Sequence, residues 1–167
     1  RLDLEWLHAN PSVKIIARNK TPDFHSYLFH DDAGQFKSVS NVSGYESLVY
    51  QNVYPNIDVE YLVPAEGGIK YNIILHPGAN PADLQIRYSG NPKLMPDLSI
   101  QYETRFGPMK DLPPVSFYQD QKQNQIFSRF KLNGNIVSFE LGSYDPTRTV
   151  VIDPWIQNPT FPTNWDC

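Results

Sequence analysis

Apolar and polar residues alternate with a period of two along most of the chain, and each alternating stretch is closed by turn residues. Leu2, Leu4 and Trp6 alternate with Asp3 and Glu5, which predicts a half-buried strand ended by Asn10-Pro11. Val13–Ala17 forms a second short apolar run, ended by Arg18-Asn19-Lys20-Thr21-Pro22. Phe24–Phe29 follows, and Asp31-Asp32-Ala33-Gly34 turns it. Tyr45–Tyr50 and Ile57–Val63 read as strands, and Glu66-Gly67-Gly68 as a hairpin turn into Ile69–Leu75. His76–Pro81 is a dense turn cluster, with one helical turn at Ala82-Asp83. Leu84, Ile86 and Tyr88 alternate with Gln85 and Arg87. Leu98–Glu103 pairs with Phe106–Lys110 as a hairpin, Val115–Gln119 follows Pro113-Pro114, and Gln125–Leu132 alternates as one strand. Asn133-Gly134 is a two-residue hairpin signal leading into Ile136–Leu141.

The last patterned segment is Tyr144–Pro154, where two Asp-Pro pairs bracket Thr149–Ile152. Branching at Cβ favours a pleated strand, and each Pro lacks an N–H and restricts the residue before it. The segment reads as turn, closing strand and exit. No stretch of eleven residues holds a helical period. The pattern therefore predicts an all-β fold, an antiparallel β-sandwich of roughly ten to thirteen short strands. The sandwich is placed at residues 1–154, and 155–167 is a linker or the start of a following module. Loops Asn91–Pro96 and Asp120–Asn124 are expected to be free to contact partners.

Composition adds limits. The 167 residues are 40% hydrophobic, with ten Tyr and nine Phe, which is not a disordered composition. The net charge of −4 comes with scattered Lys and Arg, so no basic stripe supports nucleic-acid binding. No apolar run approaches the roughly 18–20 residues of a membrane helix. Cys167 is the one cysteine, which excludes an internal disulfide and a Cys-based zinc site.

Candidate chemistry is sparse. Asp58 and Glu60 stand at i, i+2 and share a strand face. They suit a carboxylate pair for sugar hydrolysis or metal binding, and equally a polar face with Ile57, Val59 and Tyr61 inward. Asp145 and Asp153 each precede Pro, a position where the carboxylate accepts backbone N–H bonds and fixes a turn. His8, His25, His30 and His76 form no ligand motif. Asp31-Asp32-Ala33-Gly34 lacks the alternating acids of a calcium loop and reads as a polar turn. Nucleophile elbows and phosphate-binding glycine loops are absent. Trp6, Tyr45, Tyr50, Tyr54, Tyr61, Tyr71, Tyr88, Tyr102 and Tyr118 would serve a glycan if exposed in a row, but their strand positions favour burial. Asn19-Lys20-Thr21 and Asn41-Val42-Ser43 fit the glycosylation triplet.

Several motifs carry a family resemblance. Tyr54–Tyr61 is similar to a "YPGID" stretch, with Asn56 where Gly is usual. Lys70–Pro81 resembles "EYDF-x-x-x-PGADP", with Asn80 in place of Asp, and Leu84–Gly90 continues that block. Tyr144-Asp145-Pro146 and Val151-Ile152-Asp153-Pro154 resemble a closing "YD…LVIDP", and Trp6–Pro11 fits the opening. These motifs resemble the domain of unknown function that precedes SBBP-type β-propeller repeats in large secreted surface proteins, often of gliding bacteria. The resemblance covers nearly all of 1–154. It implies a β-rich domain of an exported protein, carried by the type IX secretion route and followed by propeller or immunoglobulin-like repeats. It supplies no catalytic residues.

The expectation is thus a non-catalytic structural or adhesive module, secreted or at the cell surface, that caps or orients downstream repeats. Its partners would be other domains of the same polypeptide or other surface proteins. No catalytic, cofactor-binding or metal-binding residue is assigned, and no cofactor, nucleic acid or transmembrane segment is expected. A carbohydrate-binding module, or an accessory domain of a secreted hydrolase, is the alternative, and a glycan would then be the partner.

Overall fold

The computed structural model describes residues 3–64, 70–104 and 107–157. They form thirteen strands: β1 (Leu4–Trp6), β2 (Lys14–His30), β3 (Phe36–Tyr54), β4 (Ile57–Leu62), β5 (Lys70–Leu75), β6 (Gln85–Tyr88), β7 (Lys93–Leu94), β8 (Ile100–Thr104), β9 (Gly107–Tyr118), β10 (Gln121–Ile126), β11 (Ser128–Asn133), β12 (Ile136–Leu141) and β13 (Val150–Gln157). One 3-10 turn, Pro81–Asp83, is capped by Asn80, whose side chain accepts from the Ala82 N–H. Asparagine thus does the capping work of the more usual aspartate.

Two antiparallel sheets make the all-β sandwich. The smaller has the order β1-β6-β12-β11, and the larger runs β2-β3-β4-β5-β13-β9-β8-β7 with β10 also on β9. Alternation decides the core. Ile57, Val59, Ile73 and Ile152 point inward from the larger sheet, and Leu84, Ile86, Tyr88 and Val137 meet them from the smaller. Burying each such side chain stabilises by about 1.5–3 kcal/mol. The closing strand inserts between β5 and β9. It therefore completes the larger sheet, as the β-branched run predicts.

Four predicted boundaries differ, each for a local reason. Arg18–Pro22 does not end a strand: β2 runs through, and a register slip between Lys20 and Phe24 absorbs the proline. A Cβ at Gly44 would run into the Thr21 hydroxyl there, so glycine lets the two chains close. Pro113-Pro114 likewise lies inside β9. Its first half pairs with β8 up to Asp111, its second with β10 from Ser116, and the prolines fall in the gap where no ladder N–H is needed. Gln125–Leu132 is two strands rather than one, since Phe127 is where the chain leaves the larger sheet for the smaller. The segments expected as free loops, Asn91–Pro96 and Asp120–Asn124, contain β7 and the start of β10.

The predicted turns at Asp31–Gly34 and Asn133-Gly134 form as expected, and β8 pairs antiparallel with β9 as the predicted hairpin requires. Gly134 takes φ +59, a conformation glycine adopts without penalty. The predicted Glu66-Gly67-Gly68 turn lies outside the described residues.

Candidate interaction surface

Beyond the Ser47–Leu62 pair, β3 loses β4 as a neighbour, and among the described residues the β2–β3 ribbon continues alone to the turn at 31–35. Eleven residues of β3, Phe36 to Glu46, lie in this stretch, so the arm reaches about 35 Å past the sheet at roughly 3.3 Å per residue. The turn at its end is well made. Asp31 Oδ1 accepts the N–H groups of Ala33 (3.0 Å) and Gln35 (2.9 Å), and Gly34 stands at φ +75.

The arm has large apolar side chains on both faces. Residues directly opposite in an antiparallel pair share a face. The register sets Phe24, Leu28 and Phe36 on one face and Tyr27, Phe29 and Val39 on the other. Phe24 is 66% exposed, Leu28 70%, Phe36 65% and Tyr27 53%. Strands apolar on both sides are normally covered on both sides, and contiguous exposed apolar surface marks an interaction site. An apolar groove of about 310 Å³ lies at the arm's root, between Tyr45–Leu48 and Tyr61–Val63. Both glycosylation triplets fall on the arm, at positions where Asn19 (φ 55) and Asn41 (φ 59) are left-handed.

The arm and the end of the described chain lie at one end of the larger sheet. Leu62 faces Lys70 across β4–β5, and β13 runs toward that same end as it passes from Val150, opposite Leu75, to Gln157. The β13 end is fixed by Lys70, whose Nζ sits 2.8 Å from Asp153 Oδ2 and 4.7 Å from the centre of the Trp155 ring. Three strand spacings, roughly 15 Å, separate β3 from β13.

The sequence-nominated groups are structural in their contacts. Asp58 and Glu60 do share the outer face of β4, and Ile57 and Val59 are buried inward. Asp58 is no solvent-facing group: it is nearly buried, accepting the Asn52 N–H (2.8 Å) and lying 3.0 Å from His76 Nε2. Glu60 accepts from Ser47 Oγ at 3.0 Å. Asp145 fixes its turn, accepting the Thr147 N–H (2.9 Å) and hydroxyl (2.7 Å), and these bonds hold its carboxyl below the usual range. Asp153 is instead a strand residue paired with Lys70. His25 and His30 lie at odd separation on β2 and so face opposite ways. Among the described residues no group of three or more His, Cys, Asp or Glu is placed to hold a metal, and no helix is long and apolar enough to cross a membrane.

Of the aromatics named as glycan candidates, Tyr45 is exposed, Trp6, Tyr50, Tyr61 and Tyr118 are partly buried against the core, and the rest are interior. Tyr54, Tyr71, Tyr88 and Tyr102 are buried, and their rings offer no face to a sugar. Trp6 Nε1 donates to the Tyr61 hydroxyl (2.9 Å) and meets Tyr71 edge to face. The Tyr54 hydroxyl donates to the Leu7 carbonyl at 2.7 Å, and burial pushes it up to about 12. In the centre, the Tyr88 and Tyr102 hydroxyls both donate to Asp111, and burial raises all three groups.

With this geometry in hand, a family model described as a domain of unknown function (DUF7948) matches residues 1–155. The chain belongs to that family. No curated protein and no solved structure matches it. Within this DUF7948 domain, Asn56, where Gly is usual in the resembling motif, stands at φ 59 in the β3–β4 turn. Asparagine is the residue that best replaces glycine there. The arm of the DUF7948 domain was not legible as a site. Its signal is the uncharged run Phe24–His30 with aromatics on both parities, hidden when the chain is divided at Arg18–Pro22.

Proposed function

We infer that this domain is a non-catalytic structural or adhesive module of a secreted or cell-surface multidomain protein. It caps or orients the modules that follow it and works through protein–protein contact. The observation that carries this reading is the β2–β3 arm, with large apolar side chains exposed on both faces. An arm of this kind is costly to leave in water and suits a surface that a partner covers. Its placement supports the orienting role, since it projects at the end of the sheet toward which β13 runs. The motif resemblance supports a following array of SBBP-type β-propeller repeats and export by the type IX route.

The test is chymotryptic mapping of the arm in the parent polypeptide, purified intact from its source, beside the isolated 1–167 chain. Protection of the Phe24–Phe29 bonds in the parent and cleavage in the isolated chain is the expected result. A parent polypeptide that ends near Cys167 would sink the orienting role.

A further inference from the structure

We propose that the arm's partner is a second copy of this chain: the β2 edges of two arms pair antiparallel along Phe24–Leu28, about a two-fold axis at Ser26. The proposal rests on the reading of the arm as an interaction element and names what it engages.

The first observation is the edge. β2 pairs with β3 on one side, and among the described residues no strand pairs on its other side. An open edge is a template for another strand. Natural edges are blunted by charge and proline, and here those residues flank a bare window. Pro22-Asp23 stand before it and Asp31-Asp32 after it, while Phe24–His30 holds no Asp, Glu, Lys, Arg, Pro or Gly. Such a window is the signature of a pairing strand.

The Phe24–Leu28 part of the window is complementary to itself. With Ser26 opposite Ser26 of the second copy, Phe24 meets Leu28 and His25 meets Tyr27, while Phe29 and His30 fall opposite Asp23 and Pro22. Every such couple lies on matching faces, because the pairing preserves the alternation. Cross-strand aromatic and aliphatic pairs of this kind are the unit of sheet stabilisation. On each face the ladder sets the apolar side chains of one arm beside those of the other.

Charge selects the antiparallel arrangement. Arg18 and Lys20 lie at the arm's root, and Asp31 and Asp32 at its tip, where Lys37 pairs with Asp31 at 3.6 Å. Residues 18–47 carry three cations (Arg18, Lys20, Lys37) against four anions (Asp23, Asp31, Asp32, Glu46), so the arm itself is close to neutral. Antiparallel arms lay the basic root of one along the acidic tip of the other, twice over. Parallel arms would set like on like.

Edge pairing sets the β2 side chains of the two arms side by side and leaves Phe36 and Val39, one strand away on β3, outside the contact. The interface is therefore smaller than the roughly 1,200 Å² of a standard one, and the dimer is weak and concentration-dependent.

The experiment is sedimentation equilibrium of the 1–167 chain from low micromolar to several hundred micromolar, with cysteine cross-linking in a Cys167→Ser background. A monomer–dimer equilibrium is expected. Leu28→Lys should weaken it at least tenfold without lowering the Tm, since Leu28 touches solvent rather than core. On mild oxidation Ser26→Cys should give a covalent dimer and Ser38→Cys should not. Ser38 shares the face but sits on β3, one strand from the pairing edge. A chain that stays monomeric throughout, or two cysteine variants that cross-link alike, overturns the proposal. If that monomer's arm is nonetheless protected in the parent polypeptide, the second copy is refuted and the interaction arm stands. If the arm is cut equally everywhere, both fall.

Discussion

Tyr88 and Asp111 tie the two sheets together through the middle of the core. The Tyr88 hydroxyl, on β6 of the smaller sheet, donates to Asp111 on β9 of the larger. Tyr102 on β8 donates to the other carboxylate oxygen at 3.1 Å. A fully buried carboxylate is tolerated because both its oxygens are met. The link is directional where the surrounding aliphatic contacts are not, so it fixes how one layer sits on the other.

Removing one donor leaves the carboxylate half-satisfied. Tyr88→Phe should destabilise by about 1–3 kcal/mol, the cost of an unmet buried polar group. Tyr102→Phe should cost less than the double variant, and coupling between the two is expected because they share Asp111. Chemical denaturation of the two single variants and the double variant measures both quantities.

Burial raises the Asp111 carboxyl above its ordinary value, with the two tyrosine bonds opposing the rise. A carboxyl raised in the folded state binds more protons there than in the unfolded chain. Its contribution is therefore most favourable below the unfolded value and declines as pH climbs through the folded one. Against Asp111→Asn, which cannot ionise, the unchanged protein should lose ground as pH rises from about 4 toward neutrality. Thermal melts of both proteins across that range check the sign.

Tyr54 gives the alkaline counterpart. Its phenol is pushed up to about 12 by burial, while an unfolded tyrosine ionises near 10. Stability linked to this group is intact below about 10 and is lost as pH rises toward 12. Tyr54→Phe should cost about 1 kcal/mol at neutral pH, for the bond to the Leu7 carbonyl. It should also flatten the alkaline loss, which denaturation at rising pH would show.

The β3–β4 turn tests the left-handed asparagine. Asn56 stands at φ 59. Asn56→Gly should hold or raise the Tm, and Asn56→Ala should lower stability by about 1–2 kcal/mol, the steric cost of this conformation for an ordinary residue. Equal Tm values for the two variants would contradict the assignment.

The body of the fold was legible because alternation there has a physical cause. Leu84, Ile86 and Tyr88 are buried, and Arg87 between them is exposed. In the closing strand Val150, Val151 and Ile152 are all buried, so there the β-branched run rather than alternation carries the signal. Proline misled the division into strands. It reads as a break when its neighbours are unknown, yet Pro22 sits at a register slip and Pro113-Pro114 at a gap between two partner strands. The arm was missed for the same reason: a break at Pro22 turns one long exposed ribbon into two ordinary short strands. Alternation also cannot tell covered apolar faces from bare ones. Phe24 and Leu28 look like core in sequence and are exposed, since among the described residues no second layer lies over them. Asp58 was misplaced in the opposite sense, as a solvent-facing acid, because its contacts come from Asn52 at an irregularity in β3 and from His76 in the turn after β5.

The arm's independence from the core is the claim on which the functional reading turns, and hydrogen exchange addresses it directly. Amides of Phe24–His30 would be followed in the isolated chain and in the intact parent polypeptide at equal pH and temperature. These amides should slow markedly in the assembled protein, while those of β5, β13 and β6 stay unchanged. Identical exchange of Phe24–His30 in both settings would contradict the claim.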